Sequence, residues 1–212
     1  MISLFLDSCD KKIIVAVLKD NHLIYEKIQD NDNHLSEIFL PMIKEALDEL
    51  EYTLNDVGRI YIVNGPGSFT GIRVGVTTAK VIAWGLNKEI VTISELEVLA
   101  STYIDHKYCV PYIDARRDCV YAGMYDSSLN KVFEDVYISK EKLLNKIRRH
   151  SKLDEYIFVS YDSLFENTTL PNIDIEKIVL RHSCDEGMNP HNVVPNYLKR
   201  TEAEEKNDRN SK

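Results

Sequence analysis

Cysteine is sparse here and carries no pattern. The four cysteines, at 9, 109, 119 and 184, contain no C-x-x-C and have no histidine partners at ligand spacing, which points away from a zinc site and a disulfide framework. Long apolar runs are missing as well. The longest strongly apolar stretch, Ile13 to Leu18, is far too short to cross a bilayer. The segment Met1–Asp7 has no basic flank, and Asp7 interrupts any signal-like core, so a cytoplasmic location is expected. Positive charge is in deficit: the formal net charge of −8 argues against unaided nucleic-acid binding, because lysine and arginine supply most non-specific affinity for phosphate.

Catalytic signatures are missing too. There is no G-x-S-x-G nucleophile elbow. None of the six histidines has another four residues away, the spacing that would set two imidazoles on one helical face around a metal. Asp114 and Asp118 are the nearest approach to a carboxylate pair, and acids placed at strand ends and turns ordinarily cap those turns.

What is present is ordinary in bulk and unusual at one place. With 212 residues, 44% hydrophobic and 28% charged, the chain can build one large domain or two small ones. Its most specific stretch is Asn64-Gly65-Pro66-Gly67-Ser68-Phe69-Thr70-Gly71-Ile72-Arg73-Val74-Gly75-Val76-Thr77-Thr78-Ala79-Lys80. A short β-branched strand, Ile60–Val63, leads into it, and Gly65, Pro66, Gly67, Ser68 and Thr70 form a structural loop, with Thr70 expected as N-cap. A helix from Gly71 to Leu86 follows. Gly71, Gly75, Ala79 and Ala83 recur every fourth residue, which makes one small-residue row.

Glycine within a helix costs roughly 1 kcal/mol relative to alanine, so packing must offset it. The row fits close packing of the helix on its own sheet, a helix–helix contact with another chain, or both. The glycines miss the phosphate templates: no Lys-Ser/Thr follows Gly71, and Gly65, Gly67 and Gly71 are spaced G-x-G-x-x-x-G.

Along the chain, three strands (Ile2–Leu6, Lys12–Leu18, His22–Ile28) are joined by short polar turns. Leu35–Leu50 reads as an amphipathic helix with Pro41 inside it. A strand near Glu89–Thr92 precedes a helix opening at Ser94, where Ser94 and Glu97 suggest a capping box. Strands at Tyr108–Ile113, Cys119–Tyr125 and Lys131–Ile138, a helix at Lys140–Arg149, and strand candidates at Tyr156–Ser160 and Ile175–Leu180 follow. A three-strand meander followed by alternating helices and strands thus occurs twice, a duplicated α/β unit with a mixed sheet in each half. The expected boundaries are 1–104 and 105–200, with the polar stretch 201–212 expected to be a disordered tail.

The glycine block, Pro111-Tyr112-Ile113-Asp114-Ala115-Arg116-Arg117 and Pro195-Asn196-Tyr197-Leu198-Lys199-Arg200 closely resemble the bacterial TsaB (formerly YeaZ) family over nearly the whole chain. The resemblance implies a duplicated actin-like, Hsp70-like (ribonuclease H-like) fold. It also implies a non-catalytic subunit for N6-threonylcarbamoylation of tRNA adenosine next to the anticodon, which docks and orders a TsaD-type catalytic subunit, with a TsaE-type ATPase subunit joining. Two copies would pair in their absence, tRNA would be met only indirectly, and no cofactor or membrane is implied.

The expected partner interface comprises Leu35, Ile38, Phe39 and Met42 with Gly71, Ile72, Gly75, Val76, Ala79 and Ala83. The metal-binding relative's H-x-x-x-H corresponds here to His34-Leu35-Ser36-Glu37-Ile38, which lacks the second histidine. The turns that cradle phosphate in nucleotide-binding members read Asp7-Ser8-Cys9-Asp10 and Asp114-Ala115-Arg116-Arg117, both without glycine. The rival readings are a nucleotide-dependent enzyme of the actin-like class and a glycoprotease-like metallopeptidase.

Overall fold

Strands β1 (Ile2–Asp7), β2 (Lys12–Lys19) and β3 (His22–Asp30) form a meander, as alternating β-branched runs with short polar turns require. The protein was analysed as a computed structural model, which describes residues 1–31, 34–102, 104–152 and 154–199. The expected tail at 201–212 and Arg200 lie outside the described residues. After β3 come α1 (Leu35–Glu49), with Pro41 inside it, a 3-10 turn at Leu54–Asp56, β4 (Val57–Val63), α2 (Phe69–Leu86), β5 (Ile90–Ile93) and α3 (Glu95–Ala100).

The second half repeats the plan with β6 (Tyr108–Asp114), β7 (Cys119–Asp126), β8 (Lys131–Ser139), α4 (Lys140–Ile147), β9 (Tyr156–Val159), β10 (Thr168–Thr169) and α5 (Ile175–Arg181). The two five-stranded sheets run β3-β2-β1-β4-β5 and β8-β7-β6-β9-β10. In each, the first strand of the half pairs antiparallel with the second and parallel with the fourth. This is the duplicated actin-like arrangement.

Two helices cross between the halves. Leu96, Leu99 and Ala100 of α3 pack with Cys109, Ile113 and Tyr125 of the second sheet. Ile175, Ile178 and Val179 of α5 return to the core of the first sheet, as does Val193. The strand expected at Ile175–Leu180 is therefore a helix. Asp174 caps it by accepting from the Lys177 amide, and the buried residues fall at i, i+3 and i+4, a period that a short apolar run shares with a buried strand.

Two cap assignments also change. Ser68, not Thr70, caps α2, its hydroxyl accepting from the Gly71 amide at 3.3 Å. Ser94 stands at the N-cap of α3 but donates to Asp135 at 2.6 Å, while Glu97 binds Arg181 and His182, so no capping box forms. Long-range partners outcompete the local ones. Among the described residues no helix is long and apolar enough to cross a membrane.

Candidate functional site

The β1–β2 turn, the glycine loop and the β6–β7 turn converge on a cleft between the two sheets. Its volume is about 540 Å³, and Asp10, Lys11, Gly71, Asp114, Arg116 and Asp162 are among the residues lining it. The Lys11 ammonium bridges the cleft to the Asp162 carboxylate at 2.6 Å and to the Tyr161 carbonyl at 3.0 Å. Asp162 also accepts the Asp114 amide at 2.9 Å.

Some of the polar groups at these turns are already engaged within the chain. The Ser68 amide donates to the Cys9 carbonyl at 2.6 Å, the Cys9 amide to the Asp7 carboxylate at 2.8 Å, and the Ser8 hydroxyl to the Gly71 carbonyl at 2.9 Å. The glycines make this possible. A methyl group on Gly67 would overlap the Cys9 carbonyl oxygen, and one on Gly71 the Ser8 carbonyl oxygen. The β1–β2 turn thus sits directly on the start of α2. In the opposite turn Arg116, Arg117 and Asp118 all hold positive φ, at 65°, 52° and 62°, a conformation that favours glycine. The Arg116 amide closes an Asx turn on Asp114 at 2.8 Å, and Asp118 pairs with Lys140 at 2.7 Å. The two acids are separately committed and form no catalytic pair.

Behind the turn, Asp7, Cys9 and Glu95 lie buried with their polar atoms within 4.8 Å of one another. Burial raises the Asp7 carboxyl, and burial with the neighbouring Asp7 and Asp10 charges raises Glu95 well above the usual carboxylate range. Burial also lifts the Cys9 thiol, which donates to the Val63 carbonyl at 3.1 Å. The Cys9 thiol proton is thus spent on a backbone carbonyl, and burial disfavours charge on both carboxyls. Asp10, at the cleft wall, is pushed up to about 7 by burial and by Asp162 and Asp7. His34 precedes α1 with Glu37 at 3.5 Å, and its place is that of a helix-start residue.

A second surface lies on the helices. Gly71, Ile72, Gly75, Val76, Ala79 and Ala83 are all buried against the first sheet, as are Leu35, Phe39 and Met42, with Ile38 partly buried. The small row of α2 therefore faces inward, where Gly75 lies under the Ser8 hydroxyl and Ile62. Opposite it, Phe69, Arg73, Thr77, Val81 and Trp84 form an outward row. Phe69 is 55%, Val81 62% and Trp84 67% exposed, and Leu40 on the neighbouring α1 is 53% exposed. Large apolar side chains thus remain in solvent on both helices.

Leu40 and Phe69 were missed in the sequence. Leu40 carries a usable signal, being an apolar residue off the i, i+3, i+4 stripe of α1. Phe69 stacks on Tyr197 at 5.3 Å, and Asn64 binds the backbone of Val194 and Asn196, so two motifs about 130 residues apart form one surface.

Comparison with known proteins places this architecture. The family model of TsaD, tRNA N6-adenosine threonylcarbamoyltransferase, matches residues 29–185. The chain is 27% identical to tRNA threonylcarbamoyladenosine biosynthesis protein TsaB of Bacillus subtilis, over 97% of each chain. It is 34% identical to the protein of the same name from Haemophilus influenzae, over 56% of this chain and 51% of that one. Among solved structures, YeaZ from Pseudomonas aeruginosa superposes with a TM-score of 0.74 at 21% identity, covering 92% of this chain and 100% of that one.

Proposed function

This chain belongs to the TsaB (YeaZ) family of tRNA threonylcarbamoyladenosine biosynthesis proteins, within the wider family of the threonylcarbamoyltransferase model, and from that premise we propose that it is a non-catalytic docking subunit. In this reading α1 and α2 seat a TsaD-type catalytic subunit and order it for transfer, and a TsaE-type ATPase subunit joins the assembly. Residues 1–104 form the partner-facing unit. Residues 105–200 form the second unit, strapped to the first by α5 and the segment around Val193. The ten residues named from the sequence set the spacing of the two helices from below, and Leu40, Val81 and Trp84 make the contact. Without the partner, two copies would cover the same face.

The observation that carries the proposal is the exposed outward row of α2. A non-catalytic role is further supported by the absence of a histidine pair from the sequence and by the internal use of the Ser68 and Cys9 amides. The test is the Val81→Ser/Trp84→Ser double variant, mixed with the catalytic subunit and followed by native mass spectrometry. A stable interface buries on the order of 1,200–2,000 Å², and an aromatic anchor within it is worth about 2 kcal/mol or more. A dissociation constant raised at least tenfold with an unchanged melting temperature supports the docking role, and unchanged association sinks it.

A further inference from the structure

The chain is acidic overall, yet one helix and the turn after it are strongly basic. Between residues 140 and 152 six lysines and arginines stand against a single acid, Glu141, in a protein of net charge −8. Lys140 is neutralised by Asp118 at 2.7 Å. Among the described residues, Lys142, Lys146, Arg148, Arg149 and Lys152 have no carboxylate within ion-pairing distance, whereas lysines elsewhere, such as Lys12, Lys27 and Lys44, do.

Lys142, Lys146 and Arg149 fall at i, i+4 and i+7, on one stripe of α4. With Ile138, Asn145 and His150 they line a groove of about 510 Å³. Lys146 is held over the Phe133 ring at 4.6 Å, which fixes its ammonium at the groove. Stability does not account for this arrangement. Like charges three and four residues apart destabilise a helix by a few tenths of a kcal/mol per pair. The helix dipole favours Lys146 and Arg148 near the C-terminus but disfavours Lys142 in the first turn.

We propose that this face of α4 contacts the phosphodiester backbone of folded RNA. The inference rests on the proposed place of the chain in a tRNA-modifying assembly, and it deepens that reading. Two observations select RNA over an anionic membrane. An interfacial helix needs an exposed apolar face, whereas Leu143 and Ile147 of α4 are buried in the second sheet's core. The unpaired cations form a short stripe beside a groove, a shape that suits successive phosphates. Moreover, α4 packs on β7 and β8, on the sheet that does not carry α1 and α2. A catalytic partner seated on α1 and α2 would leave it open. The contact is auxiliary, since the rest of the chain repels RNA and the partner supplies the remaining affinity.

The test compares Lys142→Gln/Lys146→Gln/Arg149→Gln with a control that removes equal charge elsewhere, Lys12→Gln/Lys19→Gln/Lys107→Gln. Each is assembled with the catalytic subunit and titrated with a tRNA transcript across a salt series. Loss of two or three phosphate contacts would raise the dissociation constant about tenfold or more and flatten the log–log salt slope by roughly two, with the control shifted far less. Equal shifts in both variants, or none in either, overturn the proposal. Loss of binding to phosphatidylglycerol vesicles with RNA binding intact would overturn it in favour of a membrane. Native mass spectrometry of the same samples reports pairing independently. If no pairing occurs the docking role fails, and the same comparison run on the chain alone at low ionic strength still decides the RNA contact.

Discussion

Lys11 and Asp162 form an ion pair across the cleft, Nζ to Oδ1 at 2.6 Å, joining the first hairpin of one sheet to the residues just beyond β9 of the other. The Asp162 side chain is 13% exposed and that of Lys11 52%, so solvent screens the pair from the lysine side. It holds the two halves together on the cleft side, while α3 and α5 do so elsewhere.

Replacing Lys11 by methionine keeps the stem and removes the charge. The expected result is faster local opening, with backbone amides near Asp10 and Asp162 exchanging several-fold faster and the amides of β1 and β6 unaffected. Loss of about 1 kcal/mol corresponds to a fivefold rate change when exchange follows local opening. Hydrogen-exchange mass spectrometry measures this directly. Identical exchange in both proteins would mean that the pair contributes nothing to closure.

Asp10 sets a pH dependence. Its carboxyl is pushed up to about 7 by burial first, then by Asp162 and Asp7. Between about pH 4 and pH 7 the folded protein retains a proton that the unfolded chain releases, so stability falls as pH rises through that window and levels above it. His182, raised chiefly by its hydrogen bond to Glu97, contributes in the same direction: its stabilisation is present at low pH and lost as pH rises through its folded value. Asp10→Asn should therefore stabilise the protein at pH 8, on the order of 1–3 kcal/mol, and do little at pH 4. Denaturant melts at the two values check it; an equal effect at both would show that charge is not the cause.

Two glycines of α2 should respond oppositely to alanine. A methyl at Gly71 would overlap the Ser8 carbonyl, whereas nothing lies within 4 Å of the methyl that Gly85→Ala would add. Gly71→Ala is expected to cost at least 1–3 kcal/mol through overpacking. Gly85→Ala should gain about 0.5–1 kcal/mol, because alanine loses less backbone entropy in a helix. Melting temperatures moving the same way in both variants would contradict this packing.

Magnesium–ATP at millimolar concentration should leave the melting temperature unchanged. Ser68 and Cys9 spend their amides inside the chain, on the Cys9 carbonyl and the Asp7 carboxyl. Saturable stabilisation following RT ln(1 + [L]/Kd) would reveal a nucleotide site and revive the enzymatic reading.

Much of the fold was legible in the sequence. β-branched runs separated by short polar turns gave the meander in each half, and repetition of that order gave the duplication. The helix at 175–181 was hidden because seven residues with apolar positions at 175, 178 and 179 fit either period, and the packing of those side chains on the first sheet selects the helix. The buried acids were less legible. Asp10 and Glu95 look like ordinary turn and helix-start residues until the two halves close over them.

In α2 the sequence by itself determined that small residues recur every fourth position. That period fits packing on the chain's own sheet as well as a contact with another chain, so periodicity cannot say what the row faces. The tertiary structure decided it. The β1–β2 turn brings the Ser8 and Cys9 carbonyls so close to the helix start that only glycine fits at 67 and 71, which turns the small row inward and leaves Val81 and Trp84 in solvent. A close backbone approach between residues some sixty positions apart is a property of the folded chain, and local propensity carries no record of it.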